Sequence, residues 1–344
     1  MRIDRSCLTE APDEDHTARR ARSALDGGDT ADKDECNAAP DQDNPTEAAA
    51  AGAPTTVAGL DAPAETRSRG EVYADTRQSC ESGWERKRLF DALRDELARF
   101  SPGRAGLPDI SPEDAARYIE QHRTGRPWLE AADRASPESR RIIAAMDQGA
   151  GHGHIRHEGW VTEEANMRRA AYLEDPAQLD KEKQLHGIDG LQPGGKRHVC
   201  ARLATRITDP DAFATAFARG MEHPDVHAAL STPYDQAKRP DPVKVPIADL
   251  LGKEGHKFCT GWQLEPVAGS MDTARGNRRA WQAAIAEQRD PDVPKPQARP
   301  VPTFEGGMIV FIVGHNKARD GYEIATFTAQ PRDHDFPAIP TPGP

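Results

Sequence analysis

The sequence predicts an α+β fold, in which N-terminal helices pack on a mainly antiparallel sheet and disordered tails flank the domain at both ends. Apolar residues recur at three- and four-residue spacing between about residues 84 and 146, which is the period of a helix. Alternating apolar residues follow from about residue 198, and the two strongest strand patterns come last. The first 83 residues contain almost no aromatic side chain.

Composition divides the chain into four segments. With 36% hydrophobic residues and a mean hydropathy of -0.77, the 344 residues cannot all belong to a packed core. The N-terminal composition of Ala, Asp, Glu, Thr, Gly and Pro is typical of disorder. We therefore expect a disordered acidic tail at 1–83, an amphipathic helix and linker at 84–104, an α+β domain at 105–332 and a proline-rich tail at 333–344.

The negative charge is concentrated at the N-terminal end. Residues 1–80 contain 9 Lys and Arg against 17 Asp and Glu, out of chain totals of 45 and 56, which leaves 36 against 39 for the rest. A nucleic-acid binder usually carries a basic footprint. The near balance after residue 80 weakens that class of function and still permits a local basic cleft.

Neither a secretory signal nor a membrane span is expected. Residues 1–15 have no apolar run, and nowhere do about 18 consecutive apolar residues occur. The five cysteines are widely spaced and form no Cys-x-x-Cys pair, which favours reduced thiols. We expect a cytoplasmic protein without a membrane partner, with Cys200 and Cys259 buried in strands as small apolar side chains.

Helix start signals recur along the first half. The segment from Trp84 to Phe100 is amphipathic, and we expect it to dock on the domain. Ser111-Pro112 and Ser136-Pro137 each combine a capping serine with proline in the first turn, which predicts helices to about 122 and 146. Thr162 is a third cap, so a short helix should follow it.

Strand patterns dominate the second half. Residues 198–207 alternate as a half-buried strand, and a helix from Thr208-Asp209-Pro210 should end at Gly220. Further along, we expect a loop or edge strand at 240–246, a strand at 256–264, a helix at 272–288 and a proline-rich connector at 291–302. Residues 308–313 and 322–328 are strong strands joined by a polar loop.

The stretch 151–160, read Gly-His-Gly-His-Ile-Arg-His-Glu-Gly-Trp, places three of the twelve histidines within six residues. Histidine serves both proton transfer and metal binding. A metal-dependent hydrolase would use His152, His154 and His157, with Asp147 or Glu158 adding a carboxylate. No helical His-Glu-x-x-His motif accompanies them, so we predict neither a metal nor another cofactor.

General acid-base chemistry is the alternative that the motifs favour. The loop at 194–197 lacks the spacing of a phosphate-binding glycine loop, and neither Cys200 nor Cys259 has the setting of a nucleophile. His157 precedes a helix that carries Arg168, and hydroxyls lie on a distant strand. A base, a phosphate clamp and a polar orienting group suit RNA cleavage by the neighbouring 2'-hydroxyl.

The order of these motifs resembles the RNase A-like toxin domains of bacterial contact-dependent inhibition and other polymorphic toxins. Residues 153–159 supply a Gly-His segment and a His-x-Gly unit, Arg168 follows on the helix, and Thr208-Asp209 enters an alanine-rich helix. Thr326 and Thr328 occupy the slots of the family's terminal Thr-x-Tyr. The tyrosine itself is missing, also in the register of Thr328 and Gln330, and Tyr322 is its candidate substitute.

The resemblance implies a metal-independent endoribonuclease. In that interpretation His157 is the general base or acid, and His154 assists or orients it. Arg168 binds the scissile phosphate, and Thr326 with Thr328 positions the phosphate. The implied partners are RNA, with tRNA among its forms, and an immunity protein. A toxin of this kind would be exported by a non-classical route.

Each of these residues also has a simpler, structural interpretation. His154 and His157 can cap a helix start, Arg168 can pair with Glu164 one turn away, the threonines are ordinary strand formers, and Trp160 can be core. The corresponding alternative function is a non-catalytic interaction protein, in which the acidic tail and the helix at 84–100 recruit a partner.

Overall fold

A computed structural model describes residues 83–149, 151–192, 194–235, 239–316 and 321–332. Within these ranges it contains helices and two antiparallel three-stranded sheets, which confirms the predicted α+β class. The tails expected at 1–83 and 333–344 lie outside the described ranges, apart from Gly83. No helix in the described part of the chain is both long and apolar enough to cross a membrane.

Two of the first four helices begin at the predicted caps. Ser111 accepts a hydrogen bond from the Asp114 amide, and Ser136 accepts one from the Ser139 amide, as predicted for both helix starts. The third helix of this group was not predicted. The four helices are α1 (Gly83–Leu97), α2 (Pro112–His122), α3 (Pro127–Ala132) and α4 (Pro137–Gln148), with a 3-10 turn at Pro102–Ala105.

Seven more helices lie in the rest of the described ranges. Thr162 accepts from the Ala165 amide and starts α6, as its sequence predicts. The helix after Asp209 continues past Gly220, where a Cβ would come within 2.1 Å of the Phe311 ring, so this glycine allows close packing and does not end the helix. The seven are α5 (Gly153–Arg156), α6 (Glu163–Tyr172), α7 (Lys181–Leu185), α8 (Pro210–Glu222), α9 (Pro224–Leu230), α10 (Ile247–Leu251) and α11 (Met271–Ala286).

The strands form two separate sheets, where the sequence predicted one. The first has the order β1-β3-β4, from β1 (Leu203–Ile207), β3 (Cys259–Leu264) and β4 (Ala298–Pro300). The second has the order β2-β5-β6, from β2 (Val243–Pro246), β5 (Met308–Asn316) and β6 (Gly321–Gln330). β4 lies in the expected proline-rich connector, and proline is tolerated there because β4 is an edge strand.

Strand β1 is buried on both faces, although its alternation predicted a half-buried strand. Ala204 and Arg206 are 0% and 1% exposed on the face that was expected to meet solvent. Helix α6 packs on β1, and the Arg206 guanidinium donates to the carbonyls of Gly159 and Val161. The strand also starts later than predicted, at Leu203, and Val199 before it is exposed. Cys200 therefore precedes β1 and Cys259 begins β3, and both are buried free thiols.

The main core lies between α8 and the second sheet. Phe213 stacks on Phe327 at a ring distance of 4.6 Å, and Phe327 stacks on Phe311 at 5.6 Å. Leu97 at the end of α1 and Phe100 just after it belong to the same buried cluster. Helix α1 therefore docks on the domain, and these side chains are not free to bind a partner.

Candidate active site

The histidine-rich segment lies between the two sheets. The His152 amide donates to the Ala325 carbonyl of β6 at 2.8 Å, and the His157 carbonyl accepts from the Ile207 amide of β1 at 2.9 Å. A Cβ on Gly151 would come within 2.7 Å of the Ile324 carbonyl oxygen, and a Cβ on Gly159 within 2.3 Å of the Thr208 carbonyl oxygen. The glycines thus allow close approach to both strands, which fixes where each imidazole points.

His154 belongs to a buried group that we call the Asp147 cluster, formed by Tyr118, Arg126, Trp128, Asp147 and His154. The Asp147 carboxylate accepts from Trp128 Nε1 at 2.7 Å, from the Tyr118 hydroxyl and Arg126 Nη1 at 2.8 Å each, and from His154 Nε2 at 3.2 Å. The His154 side chain is fully buried. The His154 carbonyl in turn accepts from Trp160 Nε1 at 2.9 Å.

The Asp147 cluster holds an ionised carboxylate. Burial alone would raise the pKa of Asp147, but the hydrogen bonds from His154, Tyr118 and Trp128 outweigh it and hold that pKa well below its usual range. Burial, followed by the Asp147 charge, raises the pKa of Tyr118. His154 is thus committed to a structural carboxylate, in a cluster that fixes α2, α3 and α4 to the histidine segment.

His157 has the geometry of an oriented base. Its Nδ1–H donates to the Thr205 carbonyl of β1 at 2.9 Å, which leaves Nε2 as the nitrogen with a lone pair. Burial, followed by the positive charge of Arg169, holds the pKa of His157 well below its ordinary value. At neutral pH the ring is therefore an uncharged proton acceptor of fixed orientation.

Thr205 connects His157 to the threonine pair at the end of the chain. The Thr205 hydroxyl donates to the Ala329 carbonyl at 2.7 Å and lies 2.6 Å from the Thr328 hydroxyl. Because the Thr205 proton is used, Thr328 is the donor of the second bond. Thr326 lies two residues away on the same face of β6, and its buried hydroxyl has no hydrogen-bond partner among the described residues.

Arg168 points away from this group. Its guanidinium makes two hydrogen bonds to the Glu174 carboxylate, at 2.6 and 2.8 Å, and lies over the Tyr172 ring at 5.6 Å. The expected pairing with Glu164 is replaced by this bidentate pair, because the chain turns back after α6 and brings Glu174 beside the helix. Hydrogen bonding to Glu174 raises the pKa of Arg168.

Arg169 is the helix α6 cation that faces the histidines. It is 6% exposed, and its Nε–H donates to His198 Nε2 at 3.1 Å. Its Nη1 is buried and has no hydrogen-bond partner among the described residues. An unpaired donor on a buried guanidinium is costly, so this atom marks a place where an anion would be stabilised.

Behind Arg169 lies a buried ionic group, the Arg169 network, made of Arg156, Arg169, Asp175, Asp189 and His198. Arg156 donates to Asp175 at 2.6 and 3.0 Å and lies 2.8 Å from Asp189. Within the described ranges, Asp175, Asp189 and His198 are the only set with three donor atoms close enough to hold a metal ion. The Arg156 guanidinium already supplies the positive charge for both carboxylates there, and the set includes none of His152, His154 and His157.

His152 is closer to this site than its sequence suggested. The ring is half-buried, and burial followed by the charge of Arg156 lowers its pKa, to which Arg169 also contributes. The charge of His152 in turn affects the pKa of His157. After burial, the charges of Arg156 and Arg169 therefore lower the pKa of both imidazoles.

The site predicted from the sequence did not include His152 or Arg169. A signal for Arg169 was present, since it lies four residues before Leu173 and shares the buried face of α6 with Ala170.

Comparison of the chain with protein-family profiles, with curated proteins and with solved structures found no match in any of the three. The function must therefore be argued from the site itself.

Proposed function

We propose that the protein cleaves RNA by attack of the 2'-hydroxyl on the adjacent phosphodiester, without a metal ion. The observation that carries the proposal is that Thr205 forms hydrogen bonds with both His157 and Thr328. Its carbonyl accepts from His157, and its hydroxyl accepts from Thr328. Thr205 thus contacts both an oriented imidazole from residue 157 and a hydroxyl on the last strand of the domain, which supports the proposal. The unpaired donor of Arg169 supports an anionic substrate there.

His157 Nε2 is the proposed general base. Its Nδ1–H is fixed by Thr205, so the basic nitrogen has one orientation, and the low pKa keeps the ring uncharged at neutral pH. A base must carry no proton before it accepts one from the 2'-hydroxyl. The low pKa makes His157 a weaker base in the free protein, and a bound phosphodiester offsets this because its negative charge raises the pKa of a nearby imidazole.

Arg169 and Thr326 are the proposed phosphate ligands. Arg169 has a free Nη1–H, and Thr326 has a hydroxyl without a partner. The Thr328 proton is committed to Thr205, so Thr328 positions Thr205 and, through it, His157. This assignment moves the phosphate clamp from Arg168, which Glu174 neutralises, to the next residue on the helix.

His152 is the proposed general acid. Attack forms the bond from O2' to phosphorus while His157 takes the hydroxyl proton. The bond from phosphorus to O5' breaks, and protonated His152 gives its proton to O5'. The products are a 2',3'-cyclic phosphate and a free 5'-hydroxyl, and the protons balance because one histidine gains what the other loses. The bound anion favours the protonated form of His152, which burial and then the neighbouring arginines disfavour in the free protein.

The experiment compares cleavage of total tRNA in excess EDTA by the full chain and two variants. His157→Gln removes the base and should lower the cleavage rate by about 10²- to 10⁴-fold. The matched control is His227→Gln, which changes an exposed histidine on α9 and should cleave like the parent chain. Equal cleavage by both variants, or no cleavage by the parent chain, would contradict the proposal.

A further inference from the structure

His198 occupies a defined position between opposite charges. Its ring is 2% exposed, its Nε2 lies 3.1 Å from Arg169 Nε, and its Nδ1 lies 3.5 Å from Asp189 and 3.6 Å from Asp175. The Nε–H of arginine can only donate, so Nε2 of His198 must carry the lone pair. The single ring proton is then on Nδ1 and faces the two carboxylates.

The two carboxylates are satisfied without Arg169. Asp175 accepts from Arg156 and from the Gly190 amide at 2.8 Å, and Asp189 accepts from the amides of Leu191 and Gln192 at 2.8 and 3.0 Å. Arg169 makes no direct ion pair with a carboxylate in the described part of the chain. The neutral imidazole separates the guanidinium from both acids.

This separation preserves the positive charge of Arg169. If Arg169 paired directly with Asp175 or Asp189, its charge would be neutralised as that of Arg168 is by Glu174. The imidazole instead uses one donor of Arg169, the Nε–H, and fixes the plane of the guanidinium. The positive charge and the Nη1 donor then remain for a ligand.

We propose that His198 is a positioning residue, which orients Arg169 toward a bound phosphate group and keeps it from pairing with Asp175 and Asp189. The proposal rests on the proposed function for the identity of the phosphate as that of RNA. His198 does not touch the substrate, and it acts through Arg169 alone.

Two variants separate positioning from general stability. His198→Gln retains an oxygen that accepts from Arg169 and an amide that donates to the carboxylates, so cleavage should stay within about threefold of the parent chain. His198→Leu removes the acceptor and should lower kcat about 10- to 100-fold with little change in KM, because a misplaced guanidinium fails mainly in the transition state.

A double-mutant cycle with Arg169→Gln gives the decisive comparison. If His198 acts through Arg169, then His198→Leu causes no further loss of kcat in the Arg169→Gln background. A purely structural role would lower kcat by the same factor in both backgrounds, and that result overturns the proposal.

A binding measurement keeps the inference testable if the chain does not cleave RNA. Inorganic phosphate is titrated into the full chain while the side-chain Nε–H resonance of Arg169 is followed by NMR. The resonance should shift with phosphate in the parent chain and in His198→Gln, and not in His198→Leu. Equal phosphate responses in all three proteins, or none in any of them, would contradict the proposed role.

The tautomer provides a test that needs no variant to fold. Nitrogen chemical shifts of the His198 ring in the parent chain should report a proton on Nδ1 and none on Nε2 at neutral pH. A proton on Nε2 is incompatible with the bond from Arg169 and would overturn the inference.

Discussion

The Asp147 cluster and the Arg169 network are two buried ionic groups that the same short segment joins, since His154 belongs to the first and Arg156 to the second. Both contain histidine, arginine and carboxylate. In the Asp147 cluster, four donors converge on one carboxylate. In the Arg169 network, the two acids are satisfied and a guanidinium donor is left without an acceptor among the described residues.

This difference distinguishes a group that stabilises the fold from a candidate ligand site. Buried polar groups are nearly always hydrogen-bonded, so the satisfied Asp147 carboxylate stabilises the fold, and we infer that the unpaired donor of Arg169 serves a ligand. The hydrogen bond to Asp147 gives His154 a structural role, and its buried Nδ1 also has no hydrogen-bond partner among the described residues. The incomplete side contains the free donors of Arg169 and Thr326 and the oriented ring of His157.

The largest expected effect on stability comes from the complete cluster. Asp147→Ala should lower the free energy of unfolding by about 3–5 kcal/mol, because it leaves Tyr118, Trp128, Arg126 and His154 without their shared acceptor. Urea denaturation measures this loss. Asp133→Ala, which removes an exposed carboxylate paired with Arg123, should cost at most about 1 kcal/mol. Similar costs for the two variants would show that the Asp147 cluster is not a stabilising unit.

The next effect compares neighbouring arginines on one helix. Arg169→Gln should lower kcat for RNA cleavage by about 10²- to 10³-fold, since a donor to the developing phosphorane charge is lost. Arg168→Gln breaks an ion pair between a partly exposed guanidinium and the buried Glu174 carboxylate, and it should leave kcat within about threefold because Arg168 has no proposed contact with the substrate. Steady-state kinetics on a short RNA measure both, and the reverse order of losses would return the phosphate role to Arg168.

The pH dependence of stability tests the neutral histidines. Burial lowers the pKa of His198 to about 4, and the pKa of His157 is also depressed, so the unfolded chain binds these protons first as the pH falls. The free energy of unfolding should therefore decrease between pH 6.5 and about 4, by about 1.4 kcal/mol per pH unit for each such histidine. Below pH 4, protonation of Asp175, whose folded pKa is about 2, adds a further loss.

Urea midpoints at pH 7, 6, 5 and 4.5 measure this slope. The His198→Gln variant removes one of the titrating groups, so its midpoints should fall less steeply between pH 6.5 and 4.5. A parent chain equally stable at pH 7 and pH 5 would show that these rings are not held neutral in the fold.

The smallest expected effect is that of Lys244→Ala on RNA binding. Strand pairing aligns Thr328, Val310 and Lys244 across the second sheet, so the exposed lysine shares a face with the threonine pair. We expect Lys244→Ala to weaken binding of a single-stranded RNA by a few-fold and to reduce the salt dependence by about 0.7 in slope, the value of one phosphate contact. Binding by His157→Gln protein at several salt concentrations measures this. An equal effect of Lys253→Ala would make the contact nonspecific.

Local signals correctly predicted the helices that begin at Ser111, Ser136 and Thr162. Ser111, Ser136 and Thr162 each accept the capping bond that their sequence context indicates, because a cap depends on residues within one turn. The strong strands at 308–313 and 322–328 were also predictable, since their apolar pattern is long and regular. The division into two sheets was not, because strand partners are chosen by contacts far apart in sequence.

Only part of the candidate site was predictable from the sequence, because tertiary contacts join residues that lie far apart in the chain. His157 and the threonine pair stood out by motif, but Thr205 connects them only through tertiary contacts. Arg168 and Arg169 differ by one position, which on a helix is about 100°, and the packing of Ala170 and Leu173 on the first sheet turns Arg169 inward. The networks around Asp147 and Asp189 bring together residues from several elements that no local pattern relates.

The central claim is attack by the 2'-hydroxyl, and the ends of the RNA products test it most directly. A short RNA is incubated with the full chain in EDTA, beside the same RNA with one 2'-deoxyribose at the cleaved position, and the fragments are weighed by mass spectrometry. We predict a 2',3'-cyclic phosphate on the fragment from the natural RNA and no cleavage at the deoxyribose. A 3'-hydroxyl end, or equal cleavage at the deoxyribose, would contradict it.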